Sequence, residues 1–406
     1  MLTLWITACT PLSVGDSEVT HAPWNDPAVE VITESPDPAD WIFTNQRVHQ
    51  VEIQVDTTGI GALWASPYEY VQGEASFDGQ PLGAVGVRLK GKIGSFRDLD
   101  HKSGFKIDIN HFDPENRLAG LEQLTLNNAI NDCSFMKENV AYEVYRAAGV
   151  PTPRTGYAWV TLNGEPYGLY TLVETPDDRF LGRVFEEPDG NLYDGKYVWY
   201  GGSNYVLLDF HPSLAPYFEL EEGTLQEGNA DLQAIIDQVD AAVGTLDYYE
   251  DTQGVIDWDQ QHRFMAAEQW VGHIDGYSMN TNNYRLYVDP ARDGRVVWVP
   301  WDIDHGFTYD YQWGKSWDAP QGRVSYWCMY SEACREQTGL ASAWLVEQVD
   351  ERVLLDRIEQ NEDLIRPYID EDPRRECSAG DFPSWVGYLR SWVRNRDDEL
   401  ADFWEM

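Results

Sequence analysis

The chain has 406 residues, 43% of them hydrophobic, with 17 Trp and 23 Tyr, enough to bury a large core; it is long for one domain and short for three. Its 69 acidic residues against 29 basic ones give a formal charge of -40, which argues against nucleic acid as a partner because neutralising a phosphate backbone needs clustered Lys and Arg. Such a charge suits solubility, or a saline or extracellular setting.

The first residues read M-L-T-L-W-I-T-A-C. Ile6-Thr7-Ala8-Cys9 fits the end of a bacterial lipoprotein signal, in which small residues precede a Cys that becomes the lipidated terminus, although the stretch before it is short and lacks Lys and Arg. The polar, Pro-bearing run from Thr10 to Pro38 then reads as a tether. The expectation is a signal and tether over residues 1–40, with an exported protein at the bacterial cell surface or in the periplasm. It would touch the membrane only through a lipid anchor at Cys9. No other run is long enough to span a bilayer.

Basic residues concentrate in one segment that holds Arg88, Lys90, Lys92, Arg97, Lys102 and Lys106. Val87 and Leu89 alternate with Arg88 and Lys90, and Phe105, Ile107 and Ile109 with Lys106 and Asp108, the period of two strands with one polar face. A local reversal of sign on an acidic protein suits a polyanionic ligand. Gly91-Lys92-Ile93-Gly94-Ser95 reads as a hairpin turn between these strands.

A helix is predicted over Phe135–Ala148, capped by Asp132 or Ser134, with Met136, Val140, Val144 and Ala147 on one face and Gly149 and Pro151 ending it. Glu138 lies off that apolar face. As a first-turn acid it is favoured by the helix dipole in any case. Asn163-Gly164 then predicts a hairpin turn between two strands, the second closing at Glu174. From about 190 to 254 the chain is acidic and weakly periodic, apart from a helix at Leu232–Val243, and reads as an insertion. A helix over Trp258–Gly272 delivers His273 and Asp275 to its C-terminal side.

The window from Gly272 to Phe307 concentrates the chemistry. It contains Asp275, Asn280, Asn282 and Asn283, then W-D-I-D-H-G with Asp302 and Asp304. Phosphoryl transfer needs a carboxylate to orient and deprotonate the acceptor and oxygen ligands to hold a divalent cation. Asp275 can be the first, and Asn280 or Asn283 with Asp302 or Asp304 the second. Asn280 follows Asp275 by the five positions that separate base and metal ligand in kinases, and Asp304-His305-Gly306 echoes the later D-x-G. The bland alternative makes the amides a turn and the two aspartates a cap. His273 and His305 read as packing or hydrogen-bonding residues rather than metal ligands. Beyond Phe307 an aromatic segment leads to helices over Ala341–Tyr368 and Pro383–Trp404.

Cys9 apart, four cysteines remain. Cys328 with Cys334 is the easiest pair by proximity, Cys334 with Cys377 would staple two helical segments, and Cys133 reads as a free, buried thiol.

Several blocks in order resemble the CotH family of atypical secreted protein kinases. They are V-G-V-R-L-K-G-K-I-G-S-F-R from Val85 with K-S-G-F-K-I-D-I from Lys102, L-T-L-N-N-A-I-N-D-C-S-F-M-K-E-N-V-A-Y-E-V from Leu124, G-V-P-T-P-R, N-G-E-P-Y-G-L-Y-T-L-V-E from Asn163, and the Asp275–Phe307 window. The resemblance implies an α+β, two-lobed, kinase-like fold over 41–406, with a β-rich N-lobe over about 41–180 and a helical C-lobe over 181–406. It implies transfer of the γ-phosphoryl group of ATP to Ser or Thr of a protein, with Mg²⁺ or Mn²⁺. Arg97 and Lys106 match the family's basic positions best and Lys102 next, so these three are expected at the phosphates. Glu138 would pair with a phosphate-binding Lys, and Glu174 would stand near adenine. Neither an ordinary kinase Gly-rich loop nor a P-loop is present, as in this family. Two other readings compete: an inactive adhesion or Ca²⁺-dependent binding module on the same fold, and a glycoside hydrolase using Asp275 and Asp302, which leaves the Asn cluster and basic strands unexplained.

Overall fold

A computed structural model describes residues 37–199, 205–378 and 380–406. The lipoprotein signal and almost all of the tether lie outside the described residues.

The fold is α+β and two-lobed. The N-terminal lobe is a closed barrel of seven strands: β1 (Val48–Gln54), β2 (Val71–Phe77), β3 (Gln80–Lys90), β4 (Gly104–Asp108), β5 (Gln123–Asn127), β6 (Thr155–Leu162) and β7 (Glu165–Val173). Their order is β1-β2-β3-β4-β5-β7-β6, and a parallel β1–β6 ladder closes the ring. Closure removes the exposed strand edges that invite aggregation. Alternation drives Val51, Ile53, Val87, Leu89, Phe105, Ile107 and Leu126 into one apolar core. The predicted turn at Asn163-Gly164 forms, with φ of 53° and 82° at the two positions, as a two-residue hairpin requires. By contrast, Gly91–Ser95 is not a tight hairpin turn. β3 and β4 are joined by a long connection over 91–103, within which Phe96 N–H closes a turn on Lys92 O at 2.9 Å.

The second lobe is helical around a four-stranded sheet ordered Glu219–Glu222, Asn191–Asp194, Tyr284–Asp289, Arg295–Pro300. The supposed insertion therefore supplies two strands of that sheet, and its predicted helix is present as Ala230–Ala242. The helix Trp258–Val271 is buried over nearly its whole length and ends on Gly272 in the left-handed conformation. The helix expected over Ala341–Tyr368 is instead two, Glu332–Gln348 and Glu351–Glu371. The break falls at Asp350, whose carboxylate accepts from Arg352 N–H as an N-cap. Asp381–Trp404 packs beside them.

The helix Lys137–Ala147 joins the lobes. Asp132 starts it, accepting from Lys137 N–H at 2.8 Å and from Ser134 N–H at 2.9 Å. Just before it, Cys133 is bonded to Cys377, so it is not a free thiol and Cys334 does not pair with Cys377; Cys334 pairs with Cys328. The Cys133–Cys377 bridge closes a separation of 244 residues, and long loops lose most entropy on cross-linking. Replacing both cysteines by Ser is expected to lower unfolding free energy by about 2–5 kcal/mol. Urea titration of the variant checks this, and a loss under about 1 kcal/mol refutes it.

Candidate active site

A cleft of about 580 Å³ runs between the barrel wall and the C-terminal sheet. β3 and β4 present Arg88, Lys90 and Lys106 to it, and β5 adds Thr125. The opposite wall carries Asp275, Asn282, Asn283, Arg285, Trp301, Asp302 and Asp304.

Asp275 follows the C-cap of the buried helix Trp258–Val271 and is held by its own downstream amides. Asn280 Nδ2 donates to it at 2.6 Å, Asn283 Nδ2 at 3.0 Å and Asn282 Nδ2 at 3.3 Å. The turn between them needs Gly276, because a Cβ there would meet the Glu268 carboxylate and His273 Nδ1. Glu268 in turn accepts from Ser278 N–H at 3.1 Å, which fixes the short helix Tyr277–Asn280. Burial pushes the Asp275 carboxyl up to about 6, against the stabilising His305 and the amides. Lys315 was not foreseen: its ammonium donates to Asn280 Oδ1 at 2.9 Å, to Gln321 Oε1 at 2.8 Å and to Met279 O. Lys315 thereby takes one lone pair of the Asn280 oxygen, while the Asn280 amide nitrogen donates to Asp275.

Asp302 and Asp304 follow the strand Arg295–Pro300 across an abrupt bend, with Asp302 at φ 49°. Asn131 Nδ2 donates to Asp304 Oδ2 at 2.8 Å, and the buried Lys137 ammonium donates to Asp304 O at 2.8 Å. Glu138 is 5% exposed, not the solvent-facing acid that the helix pattern allowed. It faces the same recess and accepts from Asn127 Nδ2 at 2.7 Å. Lys90 donates to Asn127 Oδ1, so an amide links this lysine to Glu138. Burial, then the Asp302 charge, pushes Glu138 up to about 8 and Asp304 up to about 7.

The expected phosphate ligands separate. Lys106 lines the cleft, held down to about 8 by burial and the neighbouring Arg88 charge. Arg97 does not line it: its guanidinium pairs with Glu376. Lys102 does not line it either: it is 1% exposed and paired with Asp372. Glu174 is likewise occupied, bonded to Arg154 at 2.6 Å and Arg183 at 2.5 Å; its neighbour Thr175 is the residue that reaches the cleft. His273 is fully buried and held neutral, beside Tyr145 Oη at 3.4 Å.

The carboxylates suit a hard divalent cation. Glu138 Oε1 is buried without a hydrogen-bond partner, and Glu138, Asp302 and Asp304 repel one another, none of them ion-paired among the described residues although Lys90 lines the same recess. Tighter groups of possible ligands among the described residues lie elsewhere: His262 with the disulfide-bonded Cys328 and Cys334, and Asp194, Glu219 and Glu221 at the rim, where Lys196 and Arg285 already pair with them. A tight trio is not required, since Mg²⁺ in phosphoryl-transfer sites takes one or two carboxylates and completes its shell from phosphate and water.

The CotH kinase protein family matches residues 87–400. The chain belongs to this family. Inner spore coat protein H of Bacillus subtilis (strain 168) is 22% identical over 322 residues, 75% of this chain and 84% of that protein. Invasin CotH2 of Rhizopus delemar is 20% identical over 233 residues, 54% of this chain and 37% of that protein. An inner spore coat protein H-like protein, also of B. subtilis, is 35% identical over 78 residues, 19% of this chain and 24% of that protein.

Proposed function

We propose that this protein is an atypical protein kinase that transfers the γ-phosphoryl group of ATP to a Ser or Thr hydroxyl of a protein acceptor. The observation that carries the reading is Asp275, fixed by three amide donors in the wall that also holds Asp302 and Asp304, facing Lys90 across one cleft, with Glu138 in the adjoining recess. Asp275 orients the acceptor hydroxyl and takes its proton as the hydroxyl oxygen bonds to the γ-phosphorus. The bond from that phosphorus to the β,γ-bridging oxygen breaks, and ADP leaves with the electron pair. Lys90 and Lys106 supply positive charge along the phosphates. Asp302 and Asp304, with Glu138 behind them, would hold Mg²⁺ or Mn²⁺; bound there, the cation neutralises charge developing on the phosphates. Asn280 or Asn283 would add an oxygen ligand, each already donating its amide nitrogen to Asp275.

Export is part of the proposal. Two disulfides among the described residues suit an oxidising compartment, and a lipid anchor at Cys9 would hold the protein at a membrane surface. No helix among the described residues is long and apolar enough to cross a membrane.

The test is transfer from γ-labelled ATP to a generic protein acceptor with Mg²⁺ or Mn²⁺. Label on the acceptor supports the reading. The absence of both label and any ATP-induced melting shift would favour the binding-module alternative.

The raised carboxyls give a second check. Because the folded values of Glu138 and Asp304, about 8 and about 7, exceed the unfolded ones, the folded state holds extra protons between roughly pH 4 and 8. These groups therefore contribute stability at low pH that is lost as pH rises through that window. A cation that displaces the protons reverses the loss. The Mg²⁺-induced rise in Tm is expected to be larger at about pH 8 than at about pH 6; an equal or smaller rise removes the carboxylates from the metal assignment.

A further inference from the structure

Arg88 and Lys106 are direct partners across the antiparallel β3–β4 ladder, and both point into the cleft. Like charges placed opposite one another on paired strands destabilise a sheet. Among the described residues the Lys106 ammonium makes no hydrogen bond and no ion pair, although it is recessed in the wall; Glu221 faces it from the other lobe without closing a bridge. Among the described residues Arg88 has no carboxylate partner either. It stacks on Tyr70 at 5.3 Å and donates to Leu89 O at 3.3 Å. In a chain of formal charge -40, two adjacent cations facing a cleft without an ion-paired carboxylate call for an anion from outside.

The same cleft offers little to a flat aromatic ring. Binding sites for such groups are mostly apolar. Here the aromatic side chains lining the space are already engaged: Arg285 lies over Trp301 at 5.0 Å, Lys92 over Tyr197 at 5.0 Å, and Tyr68 packs against Phe96 at 5.7 Å. The deeper floor is Thr125 and Thr175, whose hydroxyls bond each other at 2.8 Å beside Lys106. Arg88 stands two residues before Lys90 on the same strand face, a step of about 6.6 Å. Cationic groups thus succeed one another along the cleft from the carboxylate recess inward.

Resting on the kinase reading of this cleft, we infer that the phosphoryl donor is recognised through its chain of phosphates, that Arg88 and Lys106 form a second anion subsite beyond Lys90, and that the nucleobase contributes little. The ligand class is a linear triphosphate, free or carried on any nucleoside.

The full chain with Mg²⁺ is titrated by melting shift against ATP, GTP, inorganic tripolyphosphate and adenosine, for wild type, R88Q and K106Q. Expected are dissociation constants for ATP, GTP and tripolyphosphate within about threefold of one another, no shift with adenosine, and weakening of about tenfold for tripolyphosphate in each variant. Either variant, without ligand, should melt no lower than wild type, because a cross-strand repulsion is relieved. Tripolyphosphate or GTP binding tenfold or more weaker than ATP overturns the inference, as does unchanged affinity in R88Q and K106Q. Labelled transfer from ATP separates the two readings: tripolyphosphate binding without transfer keeps the subsite and removes the kinase, whereas transfer with a strict need for adenine keeps the kinase and removes the subsite. A protein that binds none of these ligands overturns both.

Discussion

Asp275→Asn is expected to leave the fold intact and to lower phosphoryl transfer by about 10²–10⁴-fold, the range in which a positioned general base contributes. Asn preserves the shape of the side chain and removes its capacity to take a proton. Three amide groups now donate to Asp275, so an amide in its place turns one donor against another and costs a local hydrogen bond, without exposing core. The loss should fall on kcat, because the carboxylate meets the acceptor hydroxyl and not the donor's phosphates. Unchanged melting of the variant with ATP and Mg²⁺, alongside the lost transfer, would locate the defect in chemistry. Retention of more than about a tenth of wild-type activity would remove Asp275 from the base role.

Lys102→Ala is expected to cost about 3–5 kcal/mol of stability while leaving activity per folded molecule unchanged. Lys102 and Asp372 are 1% and 5% exposed, and the pair is enclosed by Phe135 and Tyr170, whose rings lie 4.6 and 5.3 Å from the ammonium. Truncating one partner of a buried pair leaves the other charge without compensation. Asp372 keeps Leu169 N–H at 3.0 Å and Arg374 N–H at 2.9 Å, which places the expected loss toward the lower end of the range. Its carboxylate also lies against Gly168, at φ 108°, where any Cβ would collide with it, so the backbone has been shaped around this charge. Urea unfolding measures the loss. A change under about 1 kcal/mol would mean that water reaches the pair, and a drop in transfer by folded protein would restore Lys102 to a phosphate-binding role.

The legible part of the site was local in sequence. Asp275 and its amides lie within eight positions of one another, and Asp302 and Asp304 are separated by one residue, so spacing alone places each set together. What the sequence hid was set by strand register and by distant partners. Lys90 reaches Glu138 only because β3, β5 and the helix Lys137–Ala147 converge on Asn127. Arg97 and Lys102 looked as basic as Lys106, yet their partners Glu376 and Asp372 lie far along the chain and no periodicity announces them. Only the distant carboxylate distinguishes a cation that is already paired from one that waits for a ligand. The two-lobed α+β architecture was legible from alternation and family blocks. The break at Asp350 was readable as an N-cap but was masked by continuous helical periodicity. Cys133 illustrates the limit for disulfides, since connectivity depends on a loop closure that spacing does not encode.

The union of Cys133 with Cys377 and of Lys102 with Asp372 also orders events during synthesis. The barrel's outer supports at Lys102 and the start of the helix that carries Glu138 are completed by residues made 270 and 244 positions later. While the ribosome is still translating the second lobe, the first carries an unmatched lysine and an unpaired thiol. The first lobe therefore gains its last supports only after the second has been made and the thiols have met an oxidant.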